Sequence, residues 1–309
     1  MALHRLTSIA LGVPDAAAVG DYYEQFGLVR GSGGLFTTED GGSSLTLEPA
    51  QHRQLRRLGV GADDPDDIAR IDSALAALGI PAVVARDGRT LRTREPVAGF
   101  VVEVGVAPRH SPEPAEPVPL NGPGRAERPN VRAPGILRTG PVRPHRLGHV
   151  VIGTTDRVVT QRFFVEGLGF RVSDTVKEFA AFLRCSPDHH NVFVQAAPVN
   201  FLHHTAWEVD DVDEVGRGAM GMLEGHPERH GWGPGRHFLG SNFFWYLRDP
   251  AGNFAEYFSD MDAILDDQLW TPDDWEGVKA MYAWGPEPSP SFLQPEDVVA
   301  RIVGAHSAG

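Results

Sequence analysis

The chain repeats itself once, about 140 residues apart. Arg5-Leu6-Thr7-Ser8-Ile9-Ala10-Leu11-Gly12 aligns with Arg146-Leu147-Gly148-His149-Val150-Val151-Ile152-Gly153, 141 positions further on. Asp15 then meets Asp156, and Tyr22-Tyr23 meets Phe163-Phe164. After a one-residue gap, Phe26-Gly27-Leu28 meets Leu168-Gly169-Phe170. The ends agree as well: Gly99 precedes Glu103 by four residues, as Gly252 precedes Glu256. Solenoid units run only to roughly 50 residues, so a period this long marks a duplicated domain. At 309 residues the chain has room for two cores.

Between the copies, residues 108–144 are dense in Pro, Arg, Glu and Gly. Proline fixes φ and removes a backbone donor, which excludes a helix interior or a central strand. The expected division is a first domain at 1–107, an extended linker at 108–144, a second domain at 145–260, and a tail at 261–309 rich in Trp, Asp and Pro. Within the second copy, Val150–Ile152 reads as a strand, and Asp156 to Gly167 as an N-capped helix ending at glycine. Ala180–Leu183 and Val192–Ala196 read as short strands. A second round follows: a strand near Thr205–Val209, a helix over Val212–Glu224, and strands at Phe243–Leu247 and Phe254–Phe258 joined by the turn Asp249-Pro250-Ala251-Gly252. Strand, helix, then several strands occurs twice per copy. Four such modules predict an α+β protein.

Thirteen histidines sit mainly in the second half. His149 falls in its first strand, His204 at the start of the strand opening its second module, and Glu256 in its last strand. Two imidazoles and one carboxylate suit a divalent first-row metal, and on one face they leave positions open for other ligands. Histidines near strands also serve as hydrogen-bonded core residues, so spacing alone leaves both readings standing. The repeat adds a constraint. Ser8 stands opposite His149, and Arg57 opposite His204, whereas Glu103 stands opposite Glu256. The first copy therefore keeps the scaffold and a glutamate but neither histidine.

Several segments carry a resemblance: RLGHVVIGTTD (146–156), DHHNVFV (188–194), LHHTAWEVDDVDEVGRG (202–218) and GPGRHFLGSNFFWYLRDPAGNFAEYFSD (233–260). In these the chain is similar to the type I extradiol ring-cleaving catechol dioxygenases of the vicinal oxygen chelate superfamily. The likeness covers about 1–290, and the tail motif Tyr282-Ala283-Trp284-Gly285-Pro286 shares it. It implies the vicinal oxygen chelate fold, four βαβββ modules in two tandem domains, with a non-catalytic N-terminal domain and a catalytic C-terminal one. By this resemblance His149, His204 and Glu256 match the metal ligands. His190 matches the acid–base histidine, Tyr246 the tyrosine that hydrogen-bonds a substrate hydroxyl, and His237 a histidine beside the substrate. In His203-His204 the second residue is the match, standing four before Glu208; in His189-His190 the second directly precedes Asn191 and the apolar strand. The implied reaction is cleavage of a catechol ring with O2 as co-substrate, at Fe(II) or, in some relatives, Mn(II). Glyoxalase- or epimerase-like isomerases of the same superfamily, and a non-catalytic binding protein, are the competing readings. Trp232 replaces an arginine that tends to precede this stretch in enzymes for carboxylated catechols. That points to a larger apolar catechol, with Arg236 and Arg248 the nearby cations. The tail at 261–309 is a candidate lid, and a homo-oligomer is the family expectation.

A formal charge of −13 argues against general binding of nucleic acid or anionic membrane. No apolar run approaches the ~20 residues of a membrane span. The N-terminal residues show no signal-peptide pattern. One cysteine, Cys185, cannot form an internal disulfide. A cytoplasmic protein is expected.

Overall fold

Alternating apolar residues dictate most of the architecture, a mixed α+β chain with two large sheets. The computed structural model describes residues 3–110, 115, 118–277 and 280–304. Parts of the expected linker (111–114, 116 and 117) and of the expected tail (278, 279 and 305–309) lie outside them. The first copy supplies β1 (Leu3–Val13), α1 (Ala16–Gln25), β2 (Val29–Arg30), β3 (Leu35–Thr37), β4 (Ser44–Pro49), β5 (Gln54–Ala62), α2 (Pro65–Ala77), β6 (Ala82–Val84), β7 (Thr90–Arg94) and β8 (Val101–Val106). Its sheet runs β2-β3-β4-β1-β5-β8-β7-β6. The second copy supplies β9 (Arg146–Thr154), α3 (Arg157–Arg162), β10 (Arg171–Val176), β11 (Ala180–Arg184), β12 (Val192–Ala196), β13 (Phe201–Glu208), α4 (Val212–Leu223), β14 (His230–Arg236), β15 (Phe243–Arg248) and β16 (Phe254–Ser259). Its sheet runs β14-β15-β16-β13-β9-β12-β11-β10, with the short β17 (Asp274–Trp275) added to the β10 edge.

Each sheet is built around an antiparallel central pair, β1·β5 or β9·β13. Each central strand is flanked in parallel by the last strand of its own run, as β9 is by β12 and β13 by β16. The helices start where short acidic side chains can cap them. Asp15 accepts from the amides of Ala17 and Ala18, and Asp156 from Val159. At α2 the Asp64 and Asp67 side chains cap reciprocally.

Two boundaries differ from the sequence reading. The helix begun at Asp156 does not end at Gly167. It widens into a π-helical stretch over Phe163–Leu168 and stops at Gly169, whose φ of 86° closes it. The wide turn absorbs one extra residue, which is the gap in the alignment of the copies. Likewise β13 begins at Phe201 rather than near Thr205, so His203 and His204 lie within the strand.

The copies share one continuous apolar core. The Phe26 and Tyr257 rings stack with centroids 3.9 Å apart, and the Tyr257 hydroxyl donates to the Phe26 carbonyl at 2.7 Å. Residues 118–144 carry no long element, only a 3-10 turn at Pro134–Leu137, beyond which Arg138 pairs with Asp211 and Glu214. At the other end of the chain, α5 (Pro290–Leu293) and α6 (Glu296–Ile302) fold back onto the second sheet.

Candidate metal centre

Strand register explains how residues distant in sequence meet. Ala206 on β13 faces His149 on β9 from one side and Glu256 on β16 from the other. His204, two residues earlier on β13, projects from the same sheet face. Ala206 presents only a methyl group there, which leaves the space between its neighbours open. The donor atoms of His149, His204 and Glu256 all lie within 4.8 Å of one another, and all three residues are buried. His149 Nε2 is 3.1 Å and His204 Nε2 3.5 Å from Glu256 Oε2. Two donors at right angles on a cation, each about 2.1 Å from it, stand about 3 Å apart. Among the described residues, His204 Nε2 and Glu256 Oε2 are buried without a hydrogen-bond partner. Buried polar atoms are costly unless satisfied, and a divalent cation satisfies these. The donor set, neutral nitrogens with one carboxylate, fits Fe(II) or Mn(II).

The surrounding residues fix which atoms are left free. The Phe292 carbonyl can only accept, so His203 Nε2 donates to it at 2.8 Å. His203 Nδ1 is then an acceptor for His204 Nδ1, at 2.8 Å, and His204 presents its Nε2 lone pair to the centre. Asn242 Nδ2 donates to Glu256 Oε1 at 3.2 Å, leaving Oε2 for the cation.

A second histidine pair repeats the logic. Asp174 Oδ2 accepts from His189 Nε2 at 2.8 Å, and His189 Nδ1 accepts from His190 Nδ1 at 3.1 Å. His190 therefore offers its Nε2 lone pair beside the centre, its ring centroid 4.3 Å from that of His149. Burial, reinforced by the neighbouring imidazoles, holds the His190 pKa well below the usual histidine range. On the other side His237 Nδ1 donates to the Met281 carbonyl at 2.6 Å, so the Tyr246 hydroxyl donates to His237 Nε2 at 2.8 Å. Burial, with Glu256 nearby, pushes the Tyr246 pKa well up, so the phenol keeps its proton. Burial also lowers His203, to about 4, and His237.

All six sequence-derived candidates thus gather at one place: His149, His190, His204, His237 and Tyr246 line one cavity of about 430 Å³, and the fully buried Glu256 carboxylate lies against His149 and His204. Among the described residues, no Lys, Arg, Asp or Glu lines the cavity. Phe179, Phe182, Phe193 and Phe201 give it an apolar wall, and Trp232 stacks on Tyr246 at 5.6 Å. Arg236 lies outside it, paired with Asp260, and Arg248 lies over Phe254. Sequence reasoning did not find Asp174, His189, His203, Ala206, Asn242 or Phe292. Only the doubled histidines were a usable signal; Asp174 sits in β10, a strand the pattern did not show. His226 and His230, four apart, are exposed and bring no third donor.

Comparison with known proteins identifies relatives of the whole chain. The family profile of the Glyoxalase/Bleomycin resistance protein/Dioxygenase superfamily matches residues 146–257. The chain is 32% identical to metapyrocatechase 2 of Cupriavidus necator over 95% of its length and 92% of the relative's. It is 26% identical to a manganese-dependent 2,3-dihydroxybiphenyl 1,2-dioxygenase of Geobacillus genomosp. 3, covering 80% of each chain. Its fold matches that of homoprotocatechuate 2,3-dioxygenase from Arthrobacter globiformis, with a TM-score of 0.74, 19% identity, and coverage of 94% and 90%. It also matches the Mn(II)-bound glyoxalase from Novosphingobium aromaticivorans, with a TM-score of 0.71, 24% identity, and coverage of 96% and 98%. Among the described residues no helix is long and apolar enough to cross a membrane.

Proposed function

The chain belongs to the extradiol ring-cleaving dioxygenases of the vicinal oxygen chelate superfamily, and from that premise we propose that it cleaves an uncharged catechol carrying an apolar substituent. The carrying observation is the convergence of His149, His204 and Glu256 beside a cavity walled largely by aromatic side chains, with His204 Nε2 and Glu256 Oε2 buried and unpartnered among the described residues. These three hold the cation. The bound Fe(II) or Mn(II) supplies charge neutralisation and a route for electrons between the catechol and O2. The protein's own residues do the rest. His190 Nε2 accepts a substrate hydroxyl proton and returns a proton later in the turnover. The Tyr246 oxygen, its own hydrogen committed to His237, accepts from a substrate hydroxyl and orients the ring. His237 holds Tyr246 in that role from the Met281 carbonyl. The aromatic walls exclude water and set the plane of the ring.

Residues 145–260 carry this chemistry on our reading. Residues 1–107 are the non-catalytic domain, 108–144 the connection, and 261–309 a cover for the cavity. Among the described residues, the cavity lining offers no second carboxylate of the kind a glyoxalase-type isomerase commonly uses. A carboxylated catechol would find no cation among the described lining residues. A cytoplasmic homo-oligomer completes the proposal.

The test is reconstitution with Fe(II), and separately Mn(II), followed by a panel of catechols in air. The reading expects O2 uptake and a yellow ring-fission product, highest for apolar-substituted rings. Full metal occupancy with no turnover of any catechol would remove it, and a preference for carboxylated rings would remove the substrate class.

A further inference from the structure

Arg53 is a buried cation that the chemistry above does not explain. Arg53 stands just ahead of β5 in the first copy, yet its side chain is 4% exposed and reaches into the second. Its Nη1 donates to the Leu202 carbonyl at 2.7 Å and lies 3.4 Å from Asn253 Oδ1. The rest of the guanidinium closes a two-point pair on one carboxylate: Nε to Asp297 Oδ2 at 2.7 Å and Nη2 to Asp297 Oδ1 at 2.9 Å. Paired N–H···O bonds of this kind fix direction as well as distance. Leu202 immediately precedes His203 and His204, so one arginine ties the metal-bearing strand to the tail.

Asp297 lies in the first turn of α6. Among the described residues of 294–304, it makes the only side-chain hydrogen bond or ion pair to the rest of the protein. A different side of the same helix, roughly 100–140° round from Asp297, faces the cavity. Val298 and Ile302, four residues apart and so on one helical face, both line it. Val298 is buried, whereas Ile302 is nearly half exposed, so this part of the wall is thin and depends on where α6 is held.

We propose that Arg53 is a specificity-determining positioning residue. Through Asp297 it fixes the α6 face against which the substituent of the substrate ring packs, so the domain without metal ligands takes part in choosing the substrate. The inference rests on the apolar-substituted catechol proposed above. The ring oxygens are committed to the metal end; the substituent meets the remaining, largely apolar lining, and α6 is the part of that lining secured by one ion pair.

The experiment compares wild type, Asp297→Asn and Asp297→Glu in the Fe(II)-loaded enzyme, with unsubstituted catechol and 3-phenylcatechol as substrates. Hydrogen exchange over 290–304 is measured on the same proteins without metal. Asp297 is largely at the surface, so these variants spare the core that Arg53→Ala would disturb. A lost apolar contact costs roughly tenfold or more in discrimination, and a loosened wall should cost less. Asp297→Asn is therefore expected to raise KM for 3-phenylcatechol about fivefold, with both constants for unsubstituted catechol within about twofold of wild type. Exchange over 290–304 should quicken while 201–208 stays protected, and Asp297→Glu should restore most of both. Unchanged selectivity, or an equal shift for both substrates, would overturn the proposal. If wild type cleaves no catechol, the earlier reading fails by itself. The anchor then stands or falls on exchange, and unaltered protection of 290–304 in Asp297→Asn would refute it.

Discussion

The two copies share a backbone register but differ in what that register holds. In the second, His149, Ala206 and Glu256 stand in line across three strands, with His204 one pleat away. In the first, Ser8, Gly59 and Glu103 stand in the same line, with Arg57 one pleat away. The glutamate survives, but its partner is now Arg92, which donates to it at 2.6 Å. A serine and a guanidinium where imidazoles are needed cannot bind a divalent cation, because one offers a weak neutral donor and the other a like charge. The scaffold tolerates either set. On the proposed reading, metal binding therefore depends on three side chains, and the sheet's contribution is to bring them into line.

The largest effect that could break this contrast is loss of a ligand. His204→Ala, or Glu256→Gln, is expected to weaken metal binding by at least about 100-fold and abolish turnover, as read by metal analysis after dialysis. Glu103→Gln in the first copy should leave both unchanged; a fall in metal content there would mean that the copies are not divided as described. Next, His190→Ala should keep a full complement of metal while kcat drops about 10²- to 10⁴-fold, the range for removal of a general acid–base group. Tyr246→Phe should be milder, with kcat/KM down about tenfold, because one hydrogen bond to the substrate is lost. Retained activity in that variant would shift the orienting role to His237.

Smaller effects probe the seam between the copies. Tyr257→Phe removes the hydroxyl that reaches the Phe26 carbonyl and should cost about 1 kcal/mol in chemical denaturation, with catalysis intact. His145 bridges Asp210 at 2.6 Å and Asp40 at 3.4 Å, joining second copy to first. Partial burial pulls its pKa down, but the two carboxylates outweigh that and leave it raised. The folded state thus favours the protonated ring. Its contribution is full below the unfolded histidine value of about 6.5 and disappears as pH rises through the higher folded value. The pair is partly solvated, so less than about 1 kcal/mol is at stake, and His145→Ala should flatten that part of the stability–pH curve.

The sequence revealed the contrast between the copies before any coordinates because sheets have a period of two. Setting Arg5 against Arg146 puts Ser8 opposite His149, setting Asp63 against Asp210 puts Arg57 opposite His204, and both oppositions reappear in the pairing. The edge of the first sheet, the strand at β10 and the start of β13 were hidden because short or mixed strands lack a clear alternation. Asp174, Asn242 and Phe292 were hidden for another reason. They act by single hydrogen bonds across 15, 14 and 89 residues, and no local pattern announces such contacts. Arg53, 244 residues from Asp297, is the extreme case.

The most direct test is anomalous scattering from a crystal loaded with Mn(II) or Fe(II). The account predicts one strong peak per chain, roughly 2.0–2.3 Å from His149 Nε2, His204 Nε2 and Glu256 Oε2, and none near Glu103. A peak elsewhere, or no peak at that junction in a fully loaded and active protein, would contradict it.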